Sequence, residues 1–391
     1  FNCVSRDAVL GEAREHFPAL ARWATWCYRQ PTRLQFGDRV LESSSGVQQG
    51  DPLGPLLFAA ALQPLATELR AAPLDIALHF LDDGVLAGDV PAVGQAVAHV
   101  QRRAAELGLS LNLDKCEAVA VGPVDLPTLQ ACLPVALLQH ADGSDRLLRN
   151  FEFLGAAIGD DAFTEAHTAK RAAKAEPLLE ALAELEDPQV ALRLLRACAG
   201  FTRMVHSMRC TAPSAQAAAL ASFDGLVRGC FGGFTGIHAT EEQWGQASRG
   251  FAQAGLGLRA CAAHAPAAYL ASLGVSLADC SDLDPGFSRA EALASPAVGG
   301  ALAALNSRLP ADAALTLDAA LGSSMHDLSE RIDTAGWDQQ LAHSDLAERA
   351  HLFSEAGAGA RSFLSAVPSG RCRFEPAGFI AELRLRLGVP D

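Results

Sequence analysis

Residues Phe80-Leu81-Asp82-Asp83-Gly84 lie between two apolar runs, Ile76-Ala77-Leu78-His79 and Val85-Leu86-Ala87. The pattern predicts a β-hairpin over 76–87 with two adjacent carboxylates at its tip. Folding alone does not favour that arrangement, because Asp is depleted in strands and neighbouring like charges repel. A turn that carries two acids is nevertheless common, so on these residues alone a solvated turn is the ordinary reading. The other reading is a ligand that offsets the repulsion. A divalent cation held by hard oxygen donors is the usual one.

Upstream, about two dozen residues before the acid pair, runs Gly46-Val47-Gln48-Gln49-Gly50-Asp51-Pro52-Leu53-Gly54-Pro55-Leu56-Leu57-Phe58. Downstream follow Leu107-Gly108-Leu109-Ser110-Leu111-Asn112-Leu113-Asp114-Lys115-Cys116-Glu117 and Phe153-Leu154-Gly155, and at the start stands Phe1-Asn2-Cys3-Val4-Ser5-Arg6. In their order and spacing these segments resemble the palm of a reverse transcriptase, of the kind found in non-LTR retrotransposons and group II intron maturases. The resemblance is close over residues 1 to about 160 and loose over the following hundred.

The resemblance implies an α+β fold: a right-hand polymerase palm, its antiparallel sheet backed by helices, then an α-helical thumb and a C-terminal helical region. It divides the chain into partial fingers and palm (1–160), a thumb-like region (161–275) and an unassigned helical region (276–391). It also implies RNA-directed DNA synthesis on an RNA template and DNA primer, with dNTP as substrate and Mg²⁺ or Mn²⁺ as cofactor. Asp82 is then the chief metal ligand and Asp83 its support. Lys115 is the acid that protonates the leaving pyrophosphate. Phe1, Gln49, Gly50 and Phe80 bound the nucleotide pocket, and Phe153, Leu154 and Gly155 grip the primer end. In the family a further catalytic Asp shortly precedes the position of Phe1. The chain is therefore expected to be a fragment of a longer frame, inactive alone. A decayed or domesticated copy that binds nucleic acid without catalysis is the competing expectation. A nuclear setting is what the family implies.

Asp51-Pro52 also reads as a helix N-cap followed by proline at the first helical position. Half of the residues are apolar and 19% are charged, which excludes wholesale disorder. The ten cysteines form no CxxC pair, so neither a zinc ribbon nor a disulfide framework is indicated, and a reducing compartment is the simpler setting. The longest apolar run, 53–66, is interrupted by two prolines and a glutamine and is too short to cross a membrane. The net charge of −14 runs against nucleic-acid binding, where phosphate neutralisation dominates affinity. Its distribution is uneven: residues 161–275 carry ten basic and ten acidic groups, and no acid appears from Gln189 to Phe223. On a helix spanning that stretch, Arg193, Arg196 and Arg203 share an arc of about 80°, the expected duplex-gripping surface.

Apolar spacing predicts a helix over 9–28 broken at Pro18, a hairpin over 33–41 turning at Gly37-Asp38, and helices over 52–70 and 93–107. Short strands are expected at 109–113, 118–121 and 151–158, the last in a hairpin. Alanine-rich helices follow over 166–185, 189–208 and 214–231, with 229–236 as a glycine-rich loop and 276–296 as a linker.

Overall fold

The computed structural model describes residues 2–48, 50–284 and 286–390. It divides into two compact units, residues 1–149 with 283–286, and residues 150–282 with 287–391.

In the first unit α1 (Arg6–His16) starts where the Ser5 hydroxyl accepts the Ala8 N–H, and it stops at Phe17. Pro18 then opens α2 (Pro18–Tyr28), where a proline N–H is not missed. The hairpin β1 (Thr32–Phe36) and β2 (Arg39–Ser43) turns at Gly37-Asp38 as expected. α3 (Gly54–Arg70) follows the loop after β2, and then come β3 (Ile76–Phe80), β4 (Asp83–Ala87) and α4 (Val90–Glu106). Val4, Val9, Leu10, Ala24, Tyr28, Leu57 and Phe58 form the core beneath α1, α2 and α3. A second small cluster joins Leu65 and Leu69 of α3 to Ala96 of α4, with Ala77 and Leu86 packed on it. Ala77 faces Leu86 across the β3–β4 ladder, so one face of the acid hairpin is seated on both helices. Two short helices complete the unit, α5 (Leu126–Cys132) and α6 (Val135–Leu138).

The second unit begins with the hairpin β5 (Phe151–Phe153) and β6 (Ala156–Ile158) and is otherwise helical. Its helices are α7 (Asp161–Ala183), α8 (Pro188–Leu194), α9 (Val205–Cys210), α10 (Ala217–Thr235), α11 (Glu241–Ala247), α12 (Cys261–Leu283) and α13 (Arg289–Leu293). They continue with α14 (Pro296–Asn306), α15 (Leu317–Leu321), α16 (Met325–His343), α17 (Leu346–Ala356), α18 (Ser362–Ser365) and α19 (Pro376–Arg386). One core draws on Leu179, Leu192 and Phe223 together with Leu364, Phe379 and Leu383, so the helices after residue 300 share it with those before 275.

Several expectations are corrected. Residues 109–113 form no strand, and 118–121 contribute a single parallel bridge, Val119 to Leu148. Residues 122–150, which their prolines mark as a loop in the sequence, include α5 and α6. Residues 189–208 are not one helix: a π-helical turn at Leu195–Ala199 and a break at Gly200 separate α8 from α9. Residues 229–235 are helical, and Gly233 allows close packing there. A Cβ on Gly233 would stand 2.7 Å from the Ala183 Cβ of α7, and that contact outweighs the poor helix propensity of glycine. Most of the expected linker is helix, since α12 continues to Leu283 and α13 begins at Arg289.

Candidate active site

The acid pair lies where the sequence predicts it. Phe80 pairs with Asp83 across the ladder, leaving Leu81-Asp82 as a two-residue turn. Such a tight turn requires positive φ at its first position, which glycine normally supplies. Here Leu81 takes it, with φ of 58°, at a cost of about 1–2 kcal/mol for an L-residue. Asp82 and Asp83 are both exposed, and neither carboxylate has a hydrogen bond or ion pair among the described residues. Phe80 beside them is 58% exposed. No group of three or more His, Cys, Asp or Glu side chains that could hold a metal occurs among the described residues. The tip therefore offers two carboxylates with no ion-pair partner among the described residues.

The loop before α3 is organised by Arg6 and Tyr28, to which the motif reading gave no role. Arg6 is buried, and its guanidinium donates to the carbonyls of Gly46 (3.0 Å), Ser43 (2.8 Å) and Ser45 (3.3 Å) and to the Ser43 hydroxyl (2.9 Å). Gly46 has φ of 70°, and a Cβ there would collide with the Asn2 backbone at 2.3 Å, so only glycine fits. Gly50 also needs glycine, for its φ of 92°, although open space lies beside it. Asp51 is not the N-cap of α3, whose capping position is Leu53. Its carboxylate accepts the Leu53 N–H (2.9 Å) and the Tyr28 hydroxyl instead. Burial and then the Asp51 hydrogen bond push the Tyr28 pKa up to about 12. The Tyr28 oxygen in turn accepts the Gln48 N–H at 3.2 Å, tying α2 to the strip that leads to Gly50. Phe1 and Gln49, both expected at the nucleotide, lie outside the described residues.

Lys115 is exposed on a turn closed by its own N–H to the Asn112 carbonyl, 3.1 Å. Arg146 pins that turn, donating to the carbonyls of Asp114 (3.1 Å) and Cys116 (2.9 Å). Arg146 lies about thirty residues away in sequence, which hid the contact from motif reading.

In the second unit, Leu154 (φ 49°) and Gly155 (φ 77°) form the tip of the β5–β6 hairpin, and Phe153 closes its ladder against Ala156. The Gly155 carbonyl accepts from Arg171 of α7 at 2.8 Å. A Cβ on Gly155 would lie 3.7 Å from the His206 ring of α9. Burial and then the charges of Arg171, Arg209 and His167 hold the His206 pKa below its usual value. The hairpin tip is thus flanked by the Arg171 guanidinium and by an imidazole kept neutral. The i, i+4 spacing of His167 and Arg171 was their only sequence signal.

The arginine row is different. Arg193 donates to the Ser365 carbonyl at 3.0 Å, and Arg196 to the Leu364 carbonyl at 2.7 Å. Arg196 also lies over the Phe251 ring at 4.7 Å, and burial, with the nearby Arg193 charge, brings its pKa down to about 10. These two side chains hold α18 in place. Of the three, Arg203 alone is exposed with no hydrogen bond or ion pair among the described residues. The π turn and Gly200 put it out of phase with the other two.

No curated protein and no solved structure matches the chain. Residues 10–158 match the family model described as reverse transcriptase (RNA-dependent DNA polymerase). The matched stretch contains the acid hairpin, Gly50, the Lys115 turn and the 153–155 hairpin, and over these residues the chain is similar to a reverse transcriptase domain.

Proposed function

We propose that residues 10–158 are the nucleotidyl-transfer region of an RNA-directed DNA polymerase of the non-LTR retrotransposon or group II intron maturase type. In this reading residues 1–160 supply palm and partial fingers, and the helices of 161–275 act as its thumb. The observation that carries the reading is the pair of exposed, unpartnered carboxylates on a strained turn. Strain kept at a functional tip is a recognised use of such outliers. The donor set fits Mg²⁺ or Mn²⁺, which take carboxylate oxygens and fill their remaining positions with water and substrate phosphate. Asp82 and Asp83 would hold the metal, and its chemistry there would be to activate the primer hydroxyl and neutralise charge on the leaving group. Gly50 leaves backbone open beside the nucleotide. Lys115 delivers a proton to the leaving pyrophosphate from a turn held by Arg146. Leu154 and Gly155 present main chain to the primer end.

Two carboxylates are one fewer than the resemblance calls for. Residues 1–391 alone are therefore expected to extend primers poorly, since small misplacements of reacting groups cost rate steeply. Calorimetric titration with Mn²⁺ tests the site directly: binding by the native chain should weaken in Asp82→Asn and in Asp83→Asn. Equal binding by all three proteins removes the hairpin from the reading. Primer extension on poly(rA)–oligo(dT) checks the second point, because robust extension by residues 1–391 contradicts the carboxylate count. The alternative is a decayed or domesticated protein that holds nucleic acid without chemistry. Hybrid binding that is indifferent to metal and to Asp82→Asn supports that alternative.

A further inference from the structure

The inner side of α2 is used by the core through Ala24 and Tyr28, whereas its outer side carries two large aromatics in water. Trp23 is 55% exposed and Trp26 is 75% exposed, with their rings 5.0 Å apart and tilted by 40°. Tryptophan is seldom left so open on a protein that has no use for it. Arg22, Trp26 and Arg29 follow at i, i+4 and i+7, one stripe of the helix, and Trp23 adjoins it.

The charge of the segment that carries them decides the occupant. Residues 14–39 carry five arginines (Arg14, Arg22, Arg29, Arg33 and Arg39) against two acids, Glu15 and Asp38, in a chain of net charge −14. All five are exposed, and none has a hydrogen bond or ion pair among the described residues. An apolar protein helix would fill the tryptophan surface and leave these guanidinium groups uncompensated. A polyanion with exposed π-faces satisfies both: phosphates meet arginine, and unstacked bases lie on the indoles. A duplex hides its base faces, so the strand must be single.

We propose that the outer face of α2 binds single-stranded nucleic acid through stacking on Trp23 and Trp26 and phosphate contacts from Arg22 and Arg29. The inference rests on the reading of residues 10–158 as a nucleotidyl-transfer region, and it adds a strand-binding surface on α2 to that region.

The test uses the full chain with short fluorescein-labelled oligouridylate and oligothymidylate, followed by anisotropy across a salt series, and in parallel a primer–template hybrid. Trp23→Ala with Trp26→Ala should weaken single-strand binding about tenfold or more, as loss of stacked bases does. Trp26→Phe should keep most of the affinity. Arg22→Ala with Arg29→Ala should lower the slope of log affinity against log salt by about 1.4, the value for two phosphate contacts on a single strand. Tighter binding of oligouridylate marks RNA as the strand, and tighter binding of oligothymidylate marks DNA. Unchanged affinity and slope in the α2 variants, with hybrid binding intact, overturns this surface and leaves the active-site reading standing. A native chain that binds neither single strand nor hybrid overturns both. A native dimer that dissociates in the tryptophan variant overturns the proposal in favour of a second copy on this face.

Discussion

His264 of α12 gives the second unit a calculable sensitivity to acid. Its side chain is buried against the edge of the Phe201 ring, with Nε2 3.6 Å from the Asp333 carboxylate and Nδ1 without a hydrogen-bond partner among the described residues. Burial first, and then the charges of Arg259 and Arg308, bring its pKa from 6.5 down to about 3. A depressed imidazole is neutral in the folded state, whereas the unfolded chain takes up a proton below about 6.5. Stability is therefore lost as pH falls through that value. With the two pKa values above, going from about pH 7 to about pH 5 costs roughly 2 kcal/mol. For a unit of this size that is a fall in Tm of about 4–8 °C. Asp333 acts in the opposite sense at lower pH, because burial, acting against Arg259, raises its pKa, so the measurement belongs above about pH 5. Thermal unfolding of native protein and of His264→Gln across that range should show the slope in the first and a much flatter line in the second. Equal slopes refute the reasoning. A His264 ring that titrates near its ordinary value by NMR refutes it even if the variant fails to fold.

Three further outcomes are expected. Arg6→Ala should destabilise the first unit by about 2–4 kcal/mol, because loop carbonyls lose a buried charged donor; a urea midpoint within error of native would show that the loop holds without it. Arg193→Ala with Arg196→Ala should lower Tm by detaching α18, with no change in the salt slope of hybrid binding; a slope reduced by nearly two would instead return both arginines to phosphate contact. Asp82→Asn in metal-free buffer should leave Tm unchanged or slightly raised, since one of two repelling charges is removed. A large fall would mean that Asp82 is a structural acceptor.

The features legible in the sequence are those set by neighbours along the chain. The acid hairpin, the Gly37-Asp38 turn and the 151–158 hairpin follow from short apolar segments on either side of turn residues, and all three form where expected. Pro18 ends one helix and starts another for an equally local reason, its missing N–H and fixed φ. The order of the motifs likewise located the acid pair, the Lys115 turn and the 153–155 tip. Their supports were not legible, because each is a long-range contact whose energy depends on what folds against it. Arg6 reaches the loop at 43–46, and Arg146 reaches the turn at 113–116. Arg193 and Arg196 have the composition of a surface row, yet burial and the free carbonyls of α18 turn them inward. The glycines at 229–233 have the composition of a loop. They are helix, and at Gly233 the close approach of α7 admits only a residue without a Cβ.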